Sequence, residues 1–269
     1  MSEHRGENSL TAGVENTTLT FPVRESNKSR FVGKLLYWWC WLVAAVLLLL
    51  IGLPTLPLFW ILRKKHWLYP FALFGARTWF RACGARMSVS GMDRLDPKMS
   101  YVFVANHRSY LDTVVIFAGT GRRLGLVAKR ELLKVPIIAQ GMGFVNIIAI
   151  DRSNQEKALQ SMEHARTLMQ NGGSFGIFAE GTRAMPGELL PFKKGAFHLA
   201  IQTGASVVPV VIKDTDWMMG KKQGVCYPGT VRVVMLDPLP TAGMTVDQDL
   251  IPLLDETRNK IAQELRNNP

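Results

Sequence analysis

Tyr101-Val102-Phe103-Val104-Ala105-Asn106-His107-Arg108-Ser109-Tyr110-Leu111-Asp112 decides how this chain is read. The first five residues are apolar, β-branched and aromatic, and they end in a polar turn, the signature of a short buried strand. A helical pattern follows, carried by Leu111, Val114, Val115 and Ala118. The stretch is therefore strand, turn, helix, and it sets His107 at the junction, where side chains point out of the end of a sheet. On a regular helix two residues five apart point about 140° away from each other. His107 and Asp112 meet only if His107 lies in the turn and folds back over the first turn of the helix. A histidine held by a carboxylate in that way is a general base. Taken alone, the pair reads more readily as a capping histidine beside a solvated aspartate.

Outward from this stretch the chain keeps alternating. Short strands are expected at 87–89, 124–127 and 144–150, and a helix follows from near Asn154, burying Leu159, Met162, Ala165, Leu168 and Met169 on one stripe and stopping at Gly172-Gly173. A strand at 174–179, a helix at 194–203 ending at Gly204, strands at 207–212 and 230–235, and a C-terminal helix at 247–266 complete the pattern. Pro209 inside its strand suggests an edge or a bulge. The expected fold is α/β, a largely parallel central sheet flanked by helices, with an N-terminal membrane-embedded helical segment. In such sheets ligands gather at the carboxyl ends of strands, and every chemically interesting turn here follows a strand.

Three further blocks stand at such turns. Ile148-Ala149-Ile150-Asp151-Arg152 closes one apolar run; Phe178-Ala179-Glu180-Gly181-Thr182-Arg183 closes another; and Val207-Val208-Pro209-Val210 follows Lys193-Lys194-Gly195. In this order, with N-H-x4-D ahead of them, they resemble the glycerolipid acyltransferase family, whose pattern is N-H-x4-D, a block ending in Asp-Arg, F-x-E-G-T-R, and a V-P-[VI] strand. The likeness covers about residues 85 to 215. Four ordered blocks are far more specific than any one of them.

The resemblance implies transfer of a fatty acyl group from an acyl thioester, carried by coenzyme A or acyl carrier protein, to the sn-2 hydroxyl of 1-acyl-glycerol-3-phosphate (lysophosphatidate), giving phosphatidate in phospholipid biosynthesis. His107 is then the base and Asp112 the residue that fixes its tautomer. A thiol leaves easily, with a pKa near 8.5, so the base has most to contribute when the alcohol attacks. Arg183 with the amides of Gly181 and Thr182 forms a turn suited to the acceptor phosphate, Arg152 is its second arm, and Lys193 and Lys194 add charge. Glu180 beside a phosphate repels it, so it is expected to orient Arg183 or to hold a glycerol hydroxyl. No Gly-x-Ser-x-Gly elbow occurs, and Ser109 reads as a helix cap, which favours direct transfer over an acyl-enzyme. Ala149 stands where the family's second block more commonly has phenylalanine, which leaves room for another acceptor such as a lyso-ornithine lipid or a different lysophospholipid. A lipid-binding module without catalysis, and a hydrolase, are the readings from other classes. Intact His107, Asp112, Glu180 and Arg183 weigh against the first.

Composition points the same way. The chain has 269 residues, with 32 Lys+Arg against 21 Asp+Glu and a net charge of +11, which calls for an anionic partner. The absence of a basic recognition helix or RNA-binding aromatic signature turns that away from nucleic acid and toward an anionic membrane surface and a phosphorylated lipid. Residues 1–30 read as a polar flexible tail. Residues 31–84 form a membrane segment: Leu35 to Leu62 runs 28 residues without a charge, more than the roughly 20 needed to cross a bilayer. Gly52, Pro54 and Pro57 interrupt it, and both flanks are basic. The expectation is a helical hairpin turning at Gly52 to Pro57, with a single span leading into an interfacial helix as the rival. Residues 85–269 are the α/β domain, expected to face the cytoplasm from the inner (cytoplasmic) membrane. The three cysteines, Cys40, Cys83 and Cys226, are widely spaced with no Cys-x-x-Cys, so no metal site and no redox motif is read from them, and Cys40 is taken as packing. No nucleotide-binding loop or resident cofactor is expected.

Overall fold

The computed structural model describes residues 17–64, 67–122, 124–129, 147–150 and 155–267, the backbone alone at 127–129, 147, 149–150 and 155–162. The described elements are β1 (Leu19–Thr20), α1 (Arg30–Leu47), α2 (Leu53–Ile61), α3 (Leu68–Ala82), β2 (Ala85–Ser90), β3 (Tyr101–Ala105), α4 (Leu111–Gly119), β4 (Leu124–Lys129), β5 (Ile147–Ile150), α5 (Gln155–Gln170), β6 (Ser174–Phe178), β7 (Glu188–Leu189), α6 (Gly195–Thr203), β8 (Ser206–Lys213), α7 (Thr215–Met219), β9 (Gly229–Met235) and α8 (Val246–Asn267).

The central sheet runs β2-β9-β8-β3-β6-β4-β5. From β8 to β5 every pairing is parallel; β9 pairs β8 antiparallel, and β2 lies parallel to β9. β3 sits between β8 and β6 and is buried along its whole length, as expected of a parallel strand covered on both faces. One face packs Val102, Val104, Phe175 and Val207 against α5, α6 and α8. The other packs Phe103, Val208 and Ile212 against α3, α4, α7 and the foot of α1. In α5, Ala165 and Met169 are buried and Leu168 partly so; the expected contributions of Leu159 and Met162 lie outside the described side chains.

Three expectations need correction. Pro209 is not at an edge, since β8 is an interior strand, but it does stand at a bulge: Pro209 faces Leu236 while Val207 faces Leu239, so two steps along β8 oppose three on the segment after β9. The Pro209 carbonyl accepts the N–H of Leu236 at 2.9 Å, and Val207 exchanges two bonds with Leu239 on the same side. Pro209 therefore presents its missing N–H toward the end of β9, where the pairing is already interrupted, and only the return bond to Leu236 is forgone.

The apolar segment does not turn at Gly52 to Pro57. Helix continues from Arg30 to Ile61, with a single wider turn at Leu48–Gly52 that absorbs the bond Pro54 cannot make. The chain reverses later, past Leu62, and α3 runs back along α1 and α2. This continuous helix followed by α3 is the arrangement of the rival reading, and the chain reverses after Leu62 rather than within the apolar run.

Residues 17–30 are not a free tail. Leu19 and Thr20 pair with Leu189 and Glu188, the Phe21 N–H donates to the Gly187 carbonyl at 2.7 Å, and the Phe21 ring is buried. A short apolar alternation, Leu19 and Phe21, was enough to strap this segment over the domain.

The foot of α1 is fitted closely to the domain. A Cβ at Gly33 would lie 2.7 Å from the Tyr227 ring, so only glycine permits that approach. The Gly33 carbonyl accepts the Cys226 N–H at 2.9 Å, and Trp79 Nε1 donates to the Cys40 carbonyl at 2.9 Å. Beyond this foot Leu42, Leu49, Leu50, Leu53, Leu58, Trp60 and Ile61 are exposed.

Candidate active site

The carboxyl ends of β3, β6 and β8 converge, and side-chain bonds lock them together. Asn106, fully buried after β3, donates to the Ile212 carbonyl at 2.9 Å and accepts the Ile212 N–H at 2.8 Å, fixing β3 to β8. Glu180, buried after β6, accepts the His107 N–H through Oε1 at 2.6 Å and the Leu190 N–H through Oε2 at 2.8 Å. The Ala184 N–H donates to the His107 carbonyl at 2.7 Å. The turn carrying His107 is thus clamped on both sides.

His107 folds back over the first turn of α4, the one arrangement that lets it meet Asp112. Its Nδ1 lies 3.0 Å from Asp112 Oδ2. The same oxygen accepts the backbone N–H of Arg108 at 2.6 Å and of Ser109 at 2.7 Å. Asp112 is fully buried, and its Oδ1 has no hydrogen-bond partner among the described residues. A carboxylate held by two amides is placed before the histidine arrives, and it selects the tautomer with the proton on Nδ1. The imidazole stacks on Phe178, centroids 4.0 Å apart and planes 15° apart. Among the described residues nothing hydrogen-bonds Nε2, and the side chain keeps 16% of its surface open. The arrangement leaves a lone pair facing out, positioned to take a proton.

Arg183 lies with its guanidinium 3.7 Å above the Tyr110 ring, and Trp41 of α1 meets Tyr110 edge-on at 5.2 Å. The Lys221 ammonium donates to the Arg183 carbonyl, and the Lys221 N–H bonds the Arg108 carbonyl at 3.2 Å. Cationic groups therefore gather beside His107. Lys193 and Lys194 are exposed at the start of α6, and the Lys193 N–H to the Ala179 carbonyl, 2.7 Å, keeps that start next to the Glu180 turn.

Two expected roles change. Glu180 is buried, and each of its oxygens accepts a backbone N–H, of His107 and of Leu190, so it acts as a clamp between two turns rather than as a partner of Arg183 or an open ligand for a glycerol hydroxyl. Burial pushes its pKa up to about 8, against the opposing pull of those two N–H groups and of Arg108. Gly181, at φ 73°, makes the turn, and its N–H is spent on the Phe178 carbonyl at 3.0 Å; Thr182 is exposed at the same turn, and among the described residues its N–H has no partner. Arg152 lies outside the described residues.

Residues the sequence reading passed over also shape the site. Arg108 is buried, with Nε on the Glu188 carbonyl at 2.7 Å and Nη1 on Asp216 at 3.1 Å, while Asp216 also accepts the Gly187 N–H at 3.1 Å. It ties the His107 turn to the loop under β7. Arg108 and Tyr110 are two of the four variable positions of N-H-x4-D, and Phe178 opens F-x-E-G-T-R, so their places were visible though their contacts were not. Lys221 had no local signal: a bridge between Ser109 and Gly220 brings it in from over a hundred residues away. Ser109 Oγ donates to the Met219 carbonyl at 2.7 Å and accepts the Leu111 N–H at 3.2 Å, as a cap and anchor.

Comparison with known proteins agrees with this geometry. The acyltransferase family model matches residues 86–213. The human 1-acyl-sn-glycerol-3-phosphate acyltransferase alpha is 36% identical over 184 residues, 68% of this chain and 65% of that protein. The chloroplastic 1-acyl-sn-glycerol-3-phosphate acyltransferase BAT2 of Brassica napus is 29% identical over 83% of this chain and 63% of its own length. The chain thus spans slightly under two thirds of the length of these relatives. The crystal structure of the 1-acyl-sn-glycerophosphate acyltransferase PlsC from Thermotoga maritima superposes with a TM-score of 0.72 at 23% identity, covering 88% of this chain and 98% of that one, which shows the same fold. The mixed sheet, the His107–Asp112 turn and the matched sequence lead to one conclusion: residues 86–213 form a domain of the acyltransferase family.

Proposed function

We propose that this protein transfers a fatty acyl group from an acyl thioester to the sn-2 hydroxyl of 1-acyl-glycerol-3-phosphate, forming phosphatidate. The observation that carries the reading is the His107 Nδ1–Asp112 Oδ2 contact of 3.0 Å on a carboxylate already held by two amides. His107 Nε2 takes the proton from the acceptor hydroxyl as the oxygen attacks the thioester carbonyl. Asp112 stabilises the imidazolium that results. The tetrahedral intermediate collapses, the C–S bond breaks, and the imidazolium returns its proton to the leaving thiolate. Arg183, seated on Tyr110, holds the acceptor phosphate with the Thr182 amide; Lys193, Lys194 and Lys221 add positive potential, and Arg152 is the second arm.

Direct transfer is favoured over an acyl-enzyme, because the one hydroxyl nearest His107 in sequence, that of Ser109, is committed to Met219. Incubation with acyl donor alone should leave the protein's mass unchanged. Either coenzyme A or acyl carrier protein serves as the thiol carrier on this reading.

The exposed apolar length of α1 and α2 past the foot covers about 20 residues, or about 30 Å of helix. This supports a membrane-embedded segment that holds the site at a lipid surface; the location proposed with it is the inner membrane, with the domain on the cytoplasmic side. Labelling a cysteine placed at Leu62, where the chain reverses, separates a hairpin confined to one leaflet from a span: reaction with an impermeant reagent from outside excludes the former.

The substrate reading is tested with purified protein in detergent, one acyl-CoA, and a panel of lysophosphatidate, lysophosphatidylcholine, lyso-ornithine lipid and monoacylglycerol. Turnover of lysophosphatidate well above the others is expected, and turnover confined to acceptors without a free phosphate monoester rejects it.

A further inference from the structure

The chain has three cysteines, and all three meet. Cys40 comes from α1, Cys83 ends α3, and Cys226 lies in the segment before β9. Their sulfurs lie within 4.8 Å of one another, all three residues are buried, and Cys40 Sγ and Cys226 Sγ are 3.5 Å apart. Ligand spacing in sequence, the usual sign of a thiolate site, misses such a group because each sulfur arrives on a different element.

From this convergence we propose a metal site: the three sulfurs together bind one thiophilic d10 cation, Zn2+ or Cu+, which staples the N-terminal helices to the catalytic domain. The geometry fits. An ion in the plane of three sulfurs at a thiolate–metal distance of about 2.3 Å needs sulfurs about 4.0 Å apart, inside the range that these atoms span. A disulfide between Cys40 and Cys226 needs its sulfurs at about 2.05 Å, far closer than the 3.5 Å between them. The three residues belong to the same buried hydrophobic cluster as Phe80 and Ala85, with the Cys83 carbonyl 3.6 Å from Cys226 Sγ, and soft sulfur donors select these ions over Mg2+ or Ca2+.

The two ions place different demands on the site. With three thiolates Cu+ leaves two negative charges buried and Zn2+ leaves one, so charge favours zinc. Three-fold coordination shielded from water favours copper, since structural zinc almost always takes a fourth ligand. In either case binding displaces thiol protons, Cys–S–H giving Cys–S–metal and a proton to solvent, with no change of oxidation state. The site also reaches the chemistry. The residue after Cys40 is Trp41, which packs on Tyr110 under Arg183. A fixed α1 therefore fixes the platform on which the guanidinium rests.

The test uses the full chain in detergent, reduced and metal-free, titrated with Zn2+ in one arm and Cu+ under anaerobic conditions in the other, each against a chromogenic chelator. One equivalent per chain is expected in one arm, with sulfur-to-metal charge-transfer absorption for copper and a raised melting temperature. Cys40→Ser, Cys83→Ser and Cys226→Ser should each weaken binding by more than the 10–100-fold typical of losing an outer-shell partner. Retained phosphatidate formation in any of these variants marks it as folded. Substoichiometric uptake in both arms, uptake unchanged by the three variants, or a Cys40–Cys226 disulfide in protein isolated without reductant would overturn the proposal. None of these outcomes bears on the acceptor panel.

Discussion

Glu180→Gln separates a clamp from a substrate ligand. The wild-type carboxyl accepts the N–H groups of His107 at 2.6 Å and Leu190 at 2.8 Å. Glutamine keeps one acceptor and turns an amide NH2 toward the other N–H. Losing that bond and leaving a buried donor unmet costs about 2–4 kcal/mol at pH 5, or roughly 4–16 °C in melting temperature for a domain of this size. The pH dependence sharpens the test. Burial raises the folded-state pKa of Glu180 from 4.5 to about 8. The folded protein therefore holds a proton that the unfolded chain has lost, and this group's stabilisation, complete below pH 4.5, drains away as pH rises toward 8. Across pH 5 to 8 the loss is about 4 kcal/mol; glutamine has no such slope. The gap between the proteins, followed by intrinsic tryptophan fluorescence on heating, should close as pH rises and be near zero by pH 8. A variant as stable as the parent at pH 5 that only binds lysophosphatidate more weakly would refute the clamp. A gap that widens with pH would refute the raised pKa.

Trp41→Ala removes the edge contact that seats Tyr110, and Tyr110→Ala removes the ring beneath Arg183; a lost cation–π contact of about 0.5–2 kcal/mol should raise KM for lysophosphatidate roughly 2–30-fold with kcat largely kept, as steady-state kinetics will show. Asn106→Leu orphans the buried N–H and carbonyl of Ile212 and should cost about 2–5 kcal/mol, read as a lowered denaturation midpoint. Ser109→Ala loses the bond to Met219, about 1 kcal/mol, yet should retain most turnover; inactivity in a folded Ser109→Ala protein would reopen the acyl-enzyme route.

The strand-turn-helix at 101–112 and the alternation after it were legible because β3 and α4 carry their burial in local periodicity: a run covered on both faces, then an apolar stripe. His107 and Asp112 were legible for the same reason, since five residues of turn and helix determine how they meet. Glu180 was misread because its partners are backbone amides at 107 and 190, which no side-chain pattern records. Pro209 marked a bulge as expected, but not an edge, because the sequence does not say that β9 covers the far side of its strand. The turn expected at Gly52 to Pro57 is absent because one wide helical turn at 48–52 carries the helix on past Pro54. The cysteines show the same limit: their spacing of 43 and 143 residues means nothing until α1, α3 and the segment before β9 are packed together.

On the proposed mechanism, everything depends on His107 Nε2 taking the proton of the lipid alcohol. The most direct measurement is the rate of phosphatidate formation by His107→Ala at saturating lysophosphatidate and acyl-CoA, with folding checked by melting temperature. A fall in kcat of about 10²–10⁴-fold is predicted, the usual worth of a general base, with KM for the acceptor nearly unchanged. A folded His107→Ala protein that keeps more than about a tenth of the parent kcat, well outside that range, would contradict it.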